Sequence, residues 1–581
     1  MMVRQILIAG VMAVGCCLGA RAQEKSVELK IVETTDVHGS FYPINLITNT
    51  PKKGGLVRVS SYVNETRAQY GDRMLLLDNG DVLQGQPSVY YFNYIDTTST
   101  HLCSAMFNYM RYDVGNFGNH DIETGRVVFD RWKDDCNFPI LGANIIDTKT
   151  GEPAYTPYVV FNRHGVKVAV LGLLTPSIPA WLPENLWSGL RFDPMVETAE
   201  RWMKVIRERE NPDVVIGLFH SGQNFESGLP GENASLKVAA EVPGFDAVLI
   251  GHDHLQDCKT IVNVAGDTVW VLNPANNAMK VGELTVNVSL DKDGKMSDKR
   301  VSGRLVDVSD YPEDAGFMSK FSVQYNRVHD FVSEKVGYLK KSIYTRDAYF
   351  GSSSFIDLIH SLQLEISGAD ISITAPLSFD ASINKGDIYV RDMFNLYKYE
   401  NLLYTMRLTG REIKSELEES YYFWTNRMTS ADDDLLWFSK NNGGDSYSLQ
   451  NMSFNFDSAA GIIYTVDVTK PRGEKVNIIS LSDGTPFEMD KYYKVAVNSY
   501  RGNGGGGLLT NGTGLTQADL KSRIISSTDR DLRFYLMEYI KEHGTLNPKA
   551  FHQWKFIPEK WTVPAAKRDY KRMFGGKYVK E

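Results

Sequence analysis

The sequence predicts an α/β protein of two domains joined by a helical connector, and three observations predict it. Apolar strand-like runs interleave with helix-periodic stretches from about residue 26 to 285 and again from about 341 to 560. Turn-rich "DVSDYPEDAG" (307–316) interrupts the pattern and leads into helical "FMSKFSVQYNRVHDFVSEKVGYLKK". A chain of 581 residues also exceeds what one ordinary core holds. These changes place the first domain at 23–309, the connector at 310–340 and the second domain at 341–560, with a basic, solvated tail over 561–581.

In the first domain "VELKIVE" (27–33), "RMLLLD" (73–78), "KVAVLGLL" (167–174), "DVVIGLF" (213–219) and "FDAVLI" (245–250) read as strands. "GLVRVSSYVNETRAQYG" and "MVETAERWMKVIRERE" carry the helical period, and "KVGELTVNVSLDKDGKM" reads as a closing hairpin that turns at "DKDGK". The second domain offers helices at "SFIDLIHSLQLEIS" and "GREIKSELEESYYFW". Its strands are "ADISITAP", "IIYTVDVT" and "YYKVAVNSY".

With 43% apolar and 23% charged residues the composition is that of a soluble globular protein. A net charge of −8 excludes a binder of long nucleic acid, which needs a basic face. Small polyanions remain open where a metal supplies positive charge. Residues 1–22 read as a signal peptide: Arg4, an uncharged run from Ile6 to Gly19, then Ala20-Arg21-Ala22. Export to the periplasm or the exterior is expected, with lipid attachment at Cys16 in "AVGC" as the alternative. No transmembrane segment is expected. Cys103, Cys136 and Cys258 are too few and too scattered for a disulfide framework; one bridge plus a thiol, or three thiols, are both open.

The residues that follow the first-domain strands carry the chemistry. Asp36 and His38 come after the first, Asp81 after the second, His220 after "DVVIGLF", and His252 and His254 after "FDAVLI"; "NFGNHD" adds Asn119 and His120. Ligands of open α/β sheets gather at the carboxyl ends of strands, so these residues converge on one edge. A lone histidine there is ordinarily structural. Five of the 11 histidines in the company of two aspartates and an asparagine form a cluster. Oxygen and nitrogen donors without sulfur suit manganese, zinc or iron. Seven donors are too many for one tetrahedral ion and suit two ions that share a carboxylate, an arrangement that binds phosphate oxygens. His101, His164, His329, His360, His543 and His552 lack such neighbours and read as structural or surface residues.

In this order "DVHG", "GDVLQG", "GNHD", "HSG" and "GHDH" resemble the calcineurin-like metallophosphoesterase superfamily. The resemblance implies a four-layer α/β sandwich and two divalent metal ions, manganese, zinc or similar. Asp36, His38, Asp81 and His254 would hold one, and Asp81, Asn119, His220 and His252 the other, with Asp81 bridging. His120 would stand beside the substrate phosphate rather than bind metal. Relatives follow it with "EFDYG", whose aspartate orients it; here the segment is "DIETG". Glu123 is expected in that role by position, with Asp121 as the alternative, and Asp78 and Asp253 are expected to support the site from outside.

The second domain resembles the C-terminal, nucleotide-specificity domain of the 5′-nucleotidase and 2′,3′-cyclic-nucleotide 2′-phosphodiesterase family. The segments are "ADISITAPLSFDASINKGDIYVRDMFNLYKYENLLY", "FDSAAGIIYTVDVTKP" and "VAVNSYRGNGGGG". By this resemblance Tyr399 and Tyr500 would sandwich a nucleobase, and "GNGGGG" would form a flexible rim. Where 5′-nucleotidases carry "GGIR", this chain has "APLSF" (375–379). The expected enzyme is therefore a monomer that hydrolyses 2′,3′-cyclic nucleotides and 3′-nucleotides to nucleoside and phosphate. A 5′-nucleotidase or UDP-sugar hydrolase is the alternative, and a non-catalytic nucleotide-binding protein the rival from another class. A hinge in the connector would move substrate between domains.

Overall fold

Strands with apolar residues at both odd and even positions, such as Met74–Asp78 and Val214–His220, need cover on both faces. The computed structural model, which describes residues 25–225, 229–440 and 447–575, supplies that cover in four layers. The expected leader with Cys16 lies outside the described residues.

The first-domain strands are β1 (Lys25–Thr34), β2 (Met74–Asp78), β3 (Val114–Asn116), β4 (Ile140–Leu141), β5 (Tyr158–Arg163) and β6 (Val166–Leu174). They continue as β7 (Val214–His220), β8 (Ala247–Ile250), β9 (Gln256–Val262), β10 (Thr268–Pro274), β11 (Lys280–Leu290) and β12 (Met296–Asp307). One sheet runs β12-β11-β1-β2-β3-β4 and the other β9-β10-β8-β7-β6-β5. Leu29 and Ile31 of β1, Leu75 and Leu77 of β2, and Val214, Ile216 and Leu218 of β7 meet between the sheets. The opposite faces bury Met74 and Leu76 under helices Leu56–Tyr70 and Leu102–Met110, and Val215 and Phe219 under Met195–Arg209 and Ser235–Glu241. Strands β1 to β4 pair in parallel, as do β6, β7, β8 and β10, so each sheet presents one edge of carboxyl ends.

The connector is helical over Ala315–Lys320 and Ser322–Val332, broken at buried Phe321. Phe317, Phe321, Val328 and Val332 belong to the first-domain core. Lys335–Leu339, inside the span expected to be helical, is a strand already paired with Gly386–Tyr389 of the second domain.

The second domain is built on a five-stranded sheet ordered Ser458–Ala460, Ile371–Thr374, Tyr492–Asn498, Leu403–Thr409 and Ile524–Ser527. Helix Gly410–Trp424 starts on a reciprocal cap. Thr409 Oγ1 accepts the Glu412 N–H at 3.2 Å and the Glu412 carboxylate accepts the Thr409 N–H at 2.7 Å. The basic segment from 561 is not a solvated tail over its described length. Glu559–Phe574 is a helix whose Ala565, Ala566 and Tyr570 join the core around Trp554 and Phe556, while Lys567, Lys571 and Arg572 face outward. Cys103, Cys136 and Cys258 are free thiols. Among the described residues no helix is long and apolar enough to cross a membrane.

Asp569 on this last helix is buried and accepts the Leu435 and Leu436 N–H groups at 2.8 and 2.9 Å. Asp569→Ala leaves both donors without a partner, at about 1–3 kcal/mol each. The expected result is a urea midpoint lowered by an amount worth about 2 kcal/mol or more; an unchanged midpoint would contradict this packing.

Candidate metal centre

The loops that leave the two carboxyl edges turn sharply toward one another. Asp36, His38, Asp81, His252 and His254 have φ of 49°, 48°, 58°, 85° and 57°, a left-handed region that costs side-chain-bearing residues about 1–3 kcal/mol each. Backbone bonds hold the first two: Asp36 N donates to Gly80 O and His38 N to Asp81 O, both at 2.9 Å. The Asp121 carboxylate holds the third, accepting the N–H groups of Asp81, Val82, Leu83 and Gly118 at 2.8–2.9 Å. Gly118 allows this approach, since a Cβ there would stand 2.1 Å from Asp81 Oδ1.

These turns bring all seven sequence-derived donors together. His254 Nε2 lies 3.1 Å from Asp36 Oδ1 and 3.0 Å from His38 Nε2. Asn119 Oδ1 lies 3.2 Å from His220 Nε2 and 2.7 Å from His252 Nδ1. Asp81 Oδ2 faces both sets, at 3.2 Å from His220 Nε2 and 4.0 Å from His38 Nε2. The donor atoms of Asp36, His38 and His254, and likewise those of Asp36, Asp81 and His220, lie within 4.8 Å of one another.

Hydrogen bonding and charge show that this donor set fits divalent cations. His38 Nδ1 faces Gln84 O at 3.1 Å and His220 Nδ1 faces Asn79 O at 2.6 Å. Carbonyl oxygens only accept, so each Nδ1 carries a proton and each Nε2 is turned toward the carboxylates, in position to ligate a cation. Asp36 and Asp81 are fully buried there. Burial alone would raise the Asp36 pKa, yet His220 and His254 hold it at about 2. Burial would lower that of His220, yet Asp81 and Asp36 lift it to about 10. The cavity has a strong demand for positive charge.

His120 stands at the rim, its ring 5.5 Å from that of His38. Its Nδ1 is hydrogen-bonded to Glu123 Oε2, whereas Asp121 is engaged with the four backbone donors. Burial opposes protonation of His120, but Glu123 and Asp81 outweigh it and lift the pKa to about 9. Asp78 accepts from Thr34 Oγ1 and the Gly80 N–H, and Asp253 from Gln223 N, Leu255 N and Asn273 Nδ2, so both brace the ligand loops.

Tyr399 and Tyr500 share an edge of the second-domain sheet, because Leu403 pairs with Asn498 across antiparallel strands. Both rings are half-buried and stand perpendicular to Phe454, at 6.2 and 6.1 Å. The glycine run is wound tightly against Tyr500 instead of forming a loose rim: a Cβ on Gly505 would meet that ring at 2.5 Å. Arg501, buried against Asp457, ties this loop to Phe454 O and Asn455 Oδ1. The "APLSF" segment leaves the same edge, but its Phe379 packs on Phe574 and Tyr349.

The sheet edge with the tyrosines faces the metal centre. Burial, then the charges of Tyr500 and Glu123, push the Tyr399 hydroxyl up to about 12. Tyr94 donates to Glu400 at 3.0 Å, and Asn503 Nδ2 donates to Trp181 O at 3.3 Å, both across the domain boundary. Glu232, Trp181 and Phe454 are site residues that sequence patterning did not reveal. They lie on connecting segments several residues beyond the nearest strand end, and "GENAS" and "IPAW" offered no local signal.

Strand ends that gather such donors between two sheets define the class of metal-dependent phosphoesterases, and sequence comparison agrees. Residues 29–256 match the calcineurin-like phosphoesterase family, and residues 335–511 the C-terminal domain of 5′-nucleotidase. The chain thus carries a calcineurin-like phosphoesterase domain followed by a 5′-nucleotidase C-terminal domain. A 2′,3′-cyclic-nucleotide 2′-phosphodiesterase/3′-nucleotidase of Yersinia enterocolitica is 25% identical over 92% of this chain and 89% of its own. The trifunctional nucleotide phosphoesterase YfkN of Bacillus subtilis is 28% identical over 92% of this chain, which spans only 39% of that longer protein. A Staphylococcus aureus structure described as a 5′-nucleotidase superposes with a TM-score of 0.75 at 22% identity, over 91% of this chain and 100% of its own.

Two substitutions separate the adjacent acids. Asp121→Ala strands four backbone N–H groups, at about 1–3 kcal/mol each before water relieves some. It is expected to lower the urea midpoint and weaken Mn²⁺ uptake together. Glu123→Ala is expected to leave Mn²⁺ uptake unchanged while lowering turnover; equal effects of the two on a Mn²⁺ titration would contradict this division.

Proposed function

We propose that this chain is an exported, monomeric dinuclear-metal phosphoesterase that hydrolyses 2′,3′-cyclic nucleotides and 3′-nucleotides to nucleoside and phosphate. The observation that carries it is a cation-demanding donor cluster in the first domain faced by the second-domain sheet edge that bears Tyr399 and Tyr500. Asp36, His38, Asp81 and His254 would hold one cation, and Asp81, Asn119, His220 and His252 the other, with manganese, zinc or a similar ion in each. When bound, such ions supply charge to the non-bridging phosphate oxygens and acidify water near neutral pH.

The remaining steps fall to side chains of this chain. Glu123 fixes the His120 Nδ1 proton, so that Nε2 of the same ring is free to meet the leaving oxygen. Tyr399 and Tyr500 would stack on the base, and stacking tolerates any base. The relative from Yersinia enterocolitica supports the cyclic and 3′ substrates, because the likeness spans nearly the whole of both chains. The match of residues 335–511 to a 5′-nucleotidase domain supports 5′-nucleotides as the second reading, with UDP-sugars as a further candidate. The leader-like sequence over 1–22 supports export.

Chelator-stripped protein refilled with manganese, zinc or cobalt is to be assayed for phosphate and nucleoside release from 2′,3′-cyclic AMP, 3′-AMP and 5′-AMP. Metal-dependent cleavage of the first two with poor use of 5′-AMP is expected; rapid 5′-AMP hydrolysis alone would select the second reading. His120→Ala should lower kcat by about 10²–10⁴-fold with metal uptake intact. Tyr399→Ala and Tyr500→Ala should each raise KM by roughly 5–150-fold, the equivalent of about 1–3 kcal/mol of stacking. Cross-linking the two domains should lower turnover if the connector acts as a hinge, and unchanged turnover would remove that element.

A further inference from the structure

Beyond the seven donors and the tyrosines, one carboxylate lies against the ligand set without an assigned purpose. Glu232 sits on the segment between β7 and helix Ser235–Glu241, far from any strand end. Its Oε1 lies 3.4 Å from His252 Nε2, and its Oε2 accepts the Leu229 N–H at 2.7 Å. The Glu232 carbonyl accepts from Ser221 Oγ at 2.5 Å, directly after ligand candidate His220. The carboxylate is therefore fixed at both ends, and its free oxygen points at the outer nitrogen of a histidine whose other nitrogen enters the centre. Trp181 closes the remaining face, its ring 5.6 Å from that of His252 at 27°.

We infer that Glu232 is a positioning residue: it accepts the Nε2 proton of His252 and so presents the Nδ1 lone pair to the cation shared with Asn119 and His220. An imidazole has one proton and two nitrogens, so whichever partner takes the proton decides which nitrogen can ligate. His38 and His220 have backbone carbonyls for this purpose, at Gln84 and Asn79. His252 has no such carbonyl bond, and its outer nitrogen faces Glu232 instead. A carboxylate behind the ring also strengthens the ligand as a donor, and losing such a partner typically costs 10–100-fold in metal affinity. His252 Nδ1 and Asn119 Oδ1 face each other at 2.7 Å, so a wrongly protonated ring would put a proton where the cation belongs.

The inference rests on the two-cation reading, and the test keeps the two apart. Mn²⁺ binding to chelator-stripped full-length protein is to be followed by electron paramagnetic resonance and calorimetry for wild type, Glu232→Ala and Glu232→Gln, with the melting temperature of each metal-free protein. Wild type should take up two Mn²⁺. Glu232→Ala should weaken one of them by 10–100-fold and leave the other unchanged, and because the Leu229 N–H it frees is half-exposed and turns to water, the metal-free melting temperature should fall only slightly. Glu232→Gln keeps an oxygen acceptor and should recover most of the loss; Glu232→Met keeps volume without an acceptor and replaces the alanine variant if that folds poorly. Two Mn²⁺ bound with wild-type affinity by the acceptor-free variants would overturn the role of Glu232 alone. Equal weakening of both ions with a lower melting temperature would reduce Glu232 to a loop brace and overturn it too. A wild-type protein that takes up fewer than two would overturn the two-cation reading and this inference with it.

Discussion

The side chain of Asn79 joins the two sheets at the point where their strands end, and the ligand geometry depends on it. Its Nδ2 lies 3.1–3.2 Å from Glu33 Oε1, Phe219 O and Leu249 O, and its Oδ1 accepts from Asn116 Nδ2 at 3.2 Å. Asn116 Nδ2 in turn reaches Leu173 O and Leu218 O at 2.9 and 3.0 Å. Strand ends leave carbonyls without ladder partners, and between two buried sheets no water replaces them. An amide side chain carries donor and acceptor at once and can satisfy both sheets. Asn79 also accepts the His220 Nδ1 proton on its backbone oxygen and lies two residues before Asp81. The joint between the sheets and the spacing of the ligands are thus one set of bonds.

That joint lets the fold tolerate a concentration of charge and strain that would otherwise unfold it. Five ligand candidates hold left-handed backbone conformations, at about 1–3 kcal/mol each. Bonds to an ionised carboxylate are worth about 1.5–3 kcal/mol each, and Asp121 accepts three of them from the turn that carries Asp81 and a fourth from Gly118. The strain per residue and the compensation per bond are of the same size, so the Asp81 turn leans on Asp121. Around the buried carboxylates, His38 and His220 give Nδ1 protons to the carbonyls of Gln84 and Asn79, and their Nε2 atoms turn toward Asp36 and Asp81. Without metal, protonated His220 answers part of the carboxylates' demand for positive charge, and divalent cations would take over that part when bound.

Much of this was legible in the sequence, and the boundary between legible and hidden is physical. A ligand at a strand end announces itself, because a period-2 apolar run breaks into polar residues at the position where the chain must turn. β3 and β4 are three and two residues long, too short for that period to register, and Asn119 and His120 were located only by "GNHD". Glu232 and Trp181 reach His252 through tertiary placement of a loop and a four-residue helix, which no local period encodes. The last helix was hidden by composition. Its outward Lys567, Lys571 and Arg572 dominate the average, while its buried Thr562, Ala565 and Ala566 are too small to mark an apolar stripe. The connector was misjudged at its end for a related reason: "KVGYL" is apolar enough to continue a helix but pairs as a strand.

The contacts between domains differ in kind from those within them, which bears on how a nucleotide could span the two. Near the connector the boundary is aromatic: Tyr90 stacks with Phe331, meets Phe394 at 5.5 Å and lies 5.1 Å from the Arg533 guanidinium. The same cluster takes in Tyr94 and its bond to Glu400, whereas Asn503 to Trp181 and Lys521 to Glu184 are separate polar links. A buried aromatic cluster resists separation, because opening it returns apolar area to water at about 25 cal/mol per Å². A polar link is exchanged for water at a net cost of about 1 kcal/mol. The aromatic contacts near the connector would therefore cost more to open than the polar links between the domains.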